Sequence, residues 1–238
     1  MSSIRARRRT KPSLLLRLRI FWIFIVVALV GAAYGGYLVA TWPGFVATTV
    51  VVDGNRRVAG DAILARAAIP RDRNVWFIDK RAAERRIETI PWVERAQIHR
   101  SLPAAVTIVV AERLPAACIR TAAAQYLVDA TAHVLAANCA WSSMLPEMRW
   151  PPLGAQAPGA VLDAARLTRL LRDAQTLEAQ QLAPAAMGLD RFDGLEVWLK
   201  GGPLVRFGDD GDLAEKARLV GPILRTYAVE SKAIAEID

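Results

Sequence analysis

An unbroken run of 21 apolar or small residues, Ile20 to Ala40, limits this chain more than any other feature. No charged residue stands between Arg19 and Asp53. As a helix rising ~1.5 Å per residue, the run spans roughly 30 Å, the hydrocarbon thickness of a bilayer. Trp22 near one end and Tyr37 and Trp42 near the other sit where amphipathic rings favour the membrane interface, and Arg17 and Arg19 sit where guanidinium groups meet lipid phosphates. Residues 20–41 are therefore expected to form a single transmembrane helix with the lipid bilayer as its partner. A cleaved signal peptide also has a basic start and an apolar middle, but its apolar region is usually ~7–15 residues long. Gly31-Ala32-Ala33 is only a loose small-x-small cleavage match. Gly31, Gly35 and Gly36 give one helix face small residues that allow close helix approach.

The formal net charge of +8 invites a nucleic-acid reading until the charge is located. Arg5, Arg7, Arg8, Arg9, Lys11, Arg17 and Arg19 are seven of the 31 basic groups, and residues 1–19 hold no acid. The other 24 basic groups face 23 acidic ones over residues 20–238, so the body is nearly neutral. Basic residues beside a first hydrophobic segment stay in the cytoplasm, so the tail 1–19 is a topology signal that places everything after about residue 43 outside. The body carries no basic stripe, and no nucleic-acid partner is expected.

Beyond a Trp42-Pro43-Gly44 break, Phe45 to Val52 is rich in Val and Thr and ends in an Asp53-Gly54-Asn55 turn, the pattern of a strand. Asp61 to Ala68 has helical spacing and is expected to end at Pro70. A second helix starts after Asp79, places Ala83, Ile87 and Ile90 on one face and stops at Pro91. Val93 to Arg100 and Val106 to Ala111 read as two strands broken at Leu102-Pro103. The order strand, helix, helix, strand, strand predicts two helices on one face of a three-stranded sheet. Farther on, Gln125 to Leu135 reads as a hairpin, and a loop with five prolines between 146 and 184 flanks a helix at about Val161 to Gln180. That helix carries an apolar stripe of Leu167, Leu170, Leu171, Ala174 and Leu177, opposed by Arg166, Arg169, Arg172 and Asp173. Leu195, Val197 and Leu199 alternate with Glu196 and Trp198 as a half-buried strand that turns at Gly201-Gly202 into Leu204 to Phe207. Asp212 with Glu215 forms a capping-box pattern for a last helix, which Pro222 is expected to kink or split.

Chemistry is sparse. His99 and His133 are 34 residues apart and read as surface strand residues. Asp209-Asp210-Gly211-Asp212 lacks the spacing of a calcium loop and reads as a turn before a helix cap. Cys118 and Cys139 fall where oxidation is allowed, and are either a disulfide or two independent small buried residues. The chain therefore reads as a non-enzyme, with no catalytic, metal or cofactor-binding residues and no small-molecule substrate.

Five short runs carry a resemblance. Val52-Asp53-Gly54-Asn55, Asn74 to Asp79, Ile90 to Ala96, Arg100 to Pro103 and Val109 to Ala116 follow one another in the order and spacing of the POTRA domain of the FtsQ/DivIB division proteins. Gln125 to Leu135 resembles the family's next hairpin, with Ala132 where a Gly is common. The resemblance implies an α+β chain: a basic tail (1–19), the transmembrane helix (20–41), a β-α-α-β-β POTRA domain (45–115) and a mixed α/β domain with an extended sheet, the "β domain" (116–238). It implies a bitopic scaffold of the divisome in the cell inner membrane at the septum, binding coiled-coil division proteins of the FtsB/FtsL type by strand addition. A POTRA-type periplasmic chaperone or assembly factor is the alternative. Among single residues, the resemblance places Arg191 near the partner surface, while Trp76 and Trp198 read either as exposed anchors or as packed strand residues. Ile234-Ala235-Glu236-Ile237-Asp238 matches the start of the family's partner-pairing strand, which puts Ile234 and Ile237 at the partner edge and leaves the β domain without its last strand.

Overall fold

The computed structural model describes residues 14–70, 74–140, 145–209, 211–229 and 236–237. The basic residues Arg5, Arg7, Arg8, Arg9 and Lys11, and the edge residue Ile234, lie outside them. Two compact units divide the chain: one joins residues up to Val51 with Ile69–Asp79 and His99–Thr107, and the other holds the rest.

In the first unit, helix α1 runs Leu14–Ala40. Within it Leu18–Ala40, 23 residues, is long and apolar enough to cross a membrane, which suggests a single-pass membrane protein. Arg19 is exposed near its start. The Val/Thr run after it is shorter than its composition predicts. Pro43 opens a 3-10 turn over Pro43–Phe45, as suits a residue with a fixed φ and no N–H, and strand β1 begins only at Thr49, ending at Asp53. A second 3-10 turn, Val75–Phe77, is capped by Asn74, whose side chain accepts the Trp76 N–H.

In the second unit, α2 covers Gly60–Ala67 and α3 covers Lys80–Ile87. Helix α2 stops before Pro70 is reached, because Ala68 turns into the left-handed region at φ 48°. Ile90, expected as the last apolar position of α3, lies in the turn after it, its N–H bonded to the Ile87 carbonyl. Strands β2 (Val93–Ser101) and β3 (Ala105–Glu112) complete a sheet of order β1-β3-β2, so the predicted β-α-α-β-β succession is present. Gly54 is required where it stands: at φ +84°, a Cβ there would meet the Val110 carbonyl oxygen at 2.3 Å.

The remaining strands are β4 (Pro115–Arg120), β5 (Gln125–Asp129), β6 (Val134–Ala136), β7 (Glu147–Arg149), β8 (Pro184–Leu189), β9 (Leu195–Leu199), β10 (Leu204–Gly208) and β11 (Glu236–Ile237). They form one eight-stranded sheet, β11-β10-β9-β8-β7-β4-β5-β6. Two antiparallel meanders, β4-β5-β6 and β8-β9-β10, are joined by β7, which runs parallel to β4 and to β8. Helices α4 (Ala164–Ala179) and α5 (Leu213–Val229) bury Leu167, Leu170, Leu177, Leu213, Ala217 and Val220 in the same core as Ile119, Val128, Met148, Met187 and Val197 of the sheet. Cys118 is joined to Cys139, with Cα atoms 5.8 Å apart.

Three local expectations are corrected here. Asp173, placed by periodicity on the polar face of α4, is buried at 2% exposure with Arg169 and Arg172 at 3.9 and 3.8 Å. Asp212 stands at φ 55°, and its backbone carbonyl, not a capping side chain in extended geometry, receives the Glu215 and Lys216 N–H groups. Helix α5 runs through Pro222 without splitting. Gly221 before it lacks the Cβ that a following proline ring crowds, which relieves part of the penalty. Ala132 keeps the left-handed turn, φ 65°, that a glycine serves in related hairpins.

Candidate partner-binding surface

A sheet edge offers unpaired N–H and C=O groups, and proteins ordinarily blunt such edges. Strand β2 is an edge, and α3 and the turn after it cover it with carboxylates: Glu84 accepts the Ile98 N–H at 2.8 Å and Glu88 the Ala96 N–H at 3.1 Å. Strand β6 is an edge, and the segment 157–162 closes it through Val134 N–H to Ala160 O, 2.8 Å, and Gly159 N–H to Val134 O, 2.7 Å. Strand β1 is an edge too, with Thr49, Val51 and Asp53 as its exposed row.

Strand β11 is finished differently. It lies parallel to β10, with Leu204 opposite Glu236 and Val205 opposite Ile237, and among the described residues no strand pairs with its other side. Glu236 and Ile237, which the sequence matches to the start of the family's last strand, are paired with β10. Arg206 bridges three strands, donating to Glu196 of β9 at 3.0 Å and to Glu236 of β11. Beside the edge lies a groove of about 340 Å³ lined by Val205, Phe207, Leu219, Val220, Ile223 and Ile237, at whose rim Leu219 is exposed. Lys216 borders it, its ammonium donating to the Phe207 carbonyl at 3.0 Å and to the Asp209 carboxylate at 3.0 Å, and that bond holds the Asp209 pKa below the usual carboxylate range.

Arg191 lies in the β8–β9 turn, which by register (Leu195 opposite both Leu189 and Gly208) opens at the Gly208 end of β10. Its guanidinium sits 4.6 Å from the Phe192 ring centre. Asp190 shapes the turn by accepting the Gly194 N–H at 2.8 Å and the Phe192 N–H at 2.7 Å, which lowers its pKa. A concavity behind the turn holds two stacked pairs that no sequence pattern announced, Arg149 over Trp198 at 3.7 Å and Arg166 over Trp150 at 5.4 Å. Trp198 is thus half-buried under an arginine, while Trp76 is exposed.

His99 is exposed on β2, as expected. His133 is not a plain surface residue. Arg113 donates to Asp129 at 2.8 Å and to His133 Nδ1 at 3.3 Å, and Thr131 contacts the same ring nitrogen at 2.9 Å. Because arginine has only donors, Nδ1 of His133 accepts. Burial alone would raise the Asp129 pKa, but the Arg113, His133 N–H and Thr131 hydrogen bonds outweigh it and hold it low.

A membrane-length helix followed by a β-α-α-β-β domain and a second, eight-stranded sheet defines the architecture of a single-span protein with a POTRA-like domain. Residues 45–113 match the POTRA domain, FtsQ-type. The chain is 26% identical over 85% of its length to the cell division protein FtsQ of Corynebacterium glutamicum, covering 87% of that protein. It is 31% identical over 74% of its length to FtsQ of Chloroflexus aurantiacus, covering 65% of it, and 31% identical over 53% of its length to FtsQ of Syntrophotalea carbinolica. Of that last relative it spans about half, 46%. Over residues 45–113 and over most of its length, the chain is thus similar to cell division proteins FtsQ.

Proposed function

We infer that the protein is a bitopic scaffold of the division septum, with residues 1–19 in the cytoplasm and the bulk of the chain outside. It works by recognition: a partner segment adds a strand to β11 and seats side chains in the neighbouring groove. The observation that carries this reading is the contrast between edges. Glu84 and Glu88 seal β2 and the segment 157–162 seals β6, whereas among the described residues no strand or side chain seals the outer side of β11, which lies beside an apolar groove. Coiled-coil division proteins of the FtsB/FtsL type, the partners that the family resemblance implies, supply that segment. Residues 45–115 act as the POTRA domain and residues 116–238 as the partner-binding domain, with Arg191 at its margin and Ile234 and Ile237 on its edge. The basic tail orients the helix, and neither a cofactor nor a catalytic step is involved.

Affinity purification of the full chain from detergent-solubilised membranes tests the reading. Division proteins of the coiled-coil type are the expected co-eluates. Outer-membrane barrel components in their place would instead mark a chaperone or assembly factor.

A further inference from the structure

The first unit carries a second exposed apolar surface that strand recognition does not use. Trp76 is 48% exposed, Phe77 60%, Leu102 57% and Trp42 61%, although Val75 and Ile78 on either side of the first pair are buried. Two adjacent aromatic rings turned outward from a well-packed turn mark an interaction surface.

Its position identifies the partner. At ~1.5 Å per residue, the 23 residues Leu18–Ala40 span about 34 Å, slightly more than the ~30 Å hydrocarbon core, so Ala40 falls at the hydrocarbon boundary. The Ala40 carbonyl accepts the Asn74 side-chain N–H at 2.6 Å, and the other side-chain atom of Asn74 accepts the Trp76 N–H at 2.9 Å. One buried side chain thus pins the turn carrying Trp76 and Phe77 to the last turn of the membrane helix. Val46 bridges Asn74 from the chain leaving that helix. The turn that carries Leu102 is tied to the same segment, since the Ala104 carbonyl accepts the Thr48 N–H at 2.9 Å. Arg100 donates to the carbonyls of Trp76 at 3.2 Å and Ile78 at 2.8 Å, with its guanidinium 6.0 Å from the Trp76 ring.

We propose that Trp42, Trp76, Phe77 and Leu102 form a membrane seat: they insert into the interface of the leaflet at the C-terminal end of α1, with Arg100 facing the lipid phosphates. Amphipathic rings and guanidinium groups favour this depth, between hydrocarbon and water. The seat continues the surface that α1 presents to lipid.

The proposal rests on α1 spanning a bilayer, and the test separates the two. Full-length protein carrying a nitroxide at Phe77→Cys, Leu102→Cys or Leu29→Cys is placed in phospholipid nanodiscs, and collision with oxygen and with a water-soluble nickel chelate is measured. The two native cysteines are joined and do not take the label. Leu29→Cys is expected to lose nearly all nickel accessibility. Phe77→Cys and Leu102→Cys, on separate segments, are expected to lose most of it relative to free label, at depths shallower than Leu29→Cys. A lipid-protected Leu29→Cys with both other labels water-like overturns the seat and leaves the span standing. A water-like Leu29→Cys overturns the span and the seat with it. Protection of Phe77→Cys only in discs holding two copies assigns the patch to a second copy and also overturns the seat.

Discussion

Strands β2 and β11 are both sheet edges, yet they are finished in opposite ways. Strand β2 is long, nine residues, and two carboxylates, one from the neighbouring helix and one from the turn after it, occupy its Ala96 and Ile98 N–H groups. Strand β11 shows two residues, is held to the sheet by Arg206 as well as by its parallel ladder, and has no such cover among the described residues. The residues beside each differ in the same sense: α3 brings charged groups against β2, while α5 brings Leu219 and Ile223 beside β11. Charge beside an edge discourages a further strand, and an apolar groove beside an edge offers one a seat. On the proposed reading, that difference separates the duties of the two sheets.

The contrast can be broken from either side. The largest effect is expected at the closed end of the large sheet, where Asp129 ties Arg113 to the β5–β6 hairpin. Asp129→Ala leaves a largely buried guanidinium without its carboxylate and is expected to cost about 3–5 kcal/mol, read by urea unfolding. At the open edge, Ile237→Asp is expected to weaken capture of the coiled-coil partner by about 30-fold, a loss of roughly 2 kcal/mol, while barely moving the unfolding midpoint. A large loss of stability there would mean that β11 belongs to the core and not to the interface.

How much of this was legible in the sequence depended on the length of each signal. Helix α1, the β-α-α-β-β order and the α4 stripe were readable because each repeats its period over many residues. Strand β7 was not. It is three residues long, Pro146 precedes it and Pro151 follows closely, so a proline-rich stretch read as loop supplies the parallel strand that joins the two meanders. Helical periodicity put Asp173 on the solvent side of α4, because a period cannot register that the partly buried Arg169 and the exposed Arg172 bring their charges against it. At the site, Ile237 and Arg191 came from resemblance alone. The Arg149–Trp198 stack and the Arg206 bridge join residues 49 and 30 positions apart, respectively, and only the strand order brings them together.

Two smaller effects sharpen the comparison on the capped side. Glu112 accepts the N–H groups of Arg56, Arg57 and Val58 at 2.8–2.9 Å. Burial opposes its ionisation, but the backbone bonds to Val58, Arg56 and Arg57 and the Arg57 charge prevail, so its pKa lies low, as does that of Asp129. A carboxylate depressed in the folded state contributes stability that is fully present above the unfolded value of about 4 and is lost as pH falls through the folded one. Stability is therefore expected to be level near neutrality and to fall below about pH 4. Glu112→Gln is expected to cost about 1–2 kcal/mol at neutral pH and to flatten part of that acid limb. Smallest is the double change Glu84→Ala with Glu88→Ala, at about 0.5 kcal/mol for each lost bond, whose more telling outcome is concentration-dependent self-association once β2 is bared.

The central claim is that β11, and not β2, receives the partner. Amide hydrogen exchange on the full chain in nanodiscs, with and without a coiled-coil division protein of the FtsB type, tests it directly. The account predicts new protection at Glu236 and Ile237, with Val93–Ser101 unchanged. Protection along Val93–Ser101, with Glu236 and Ile237 exchanging as before, would contradict it.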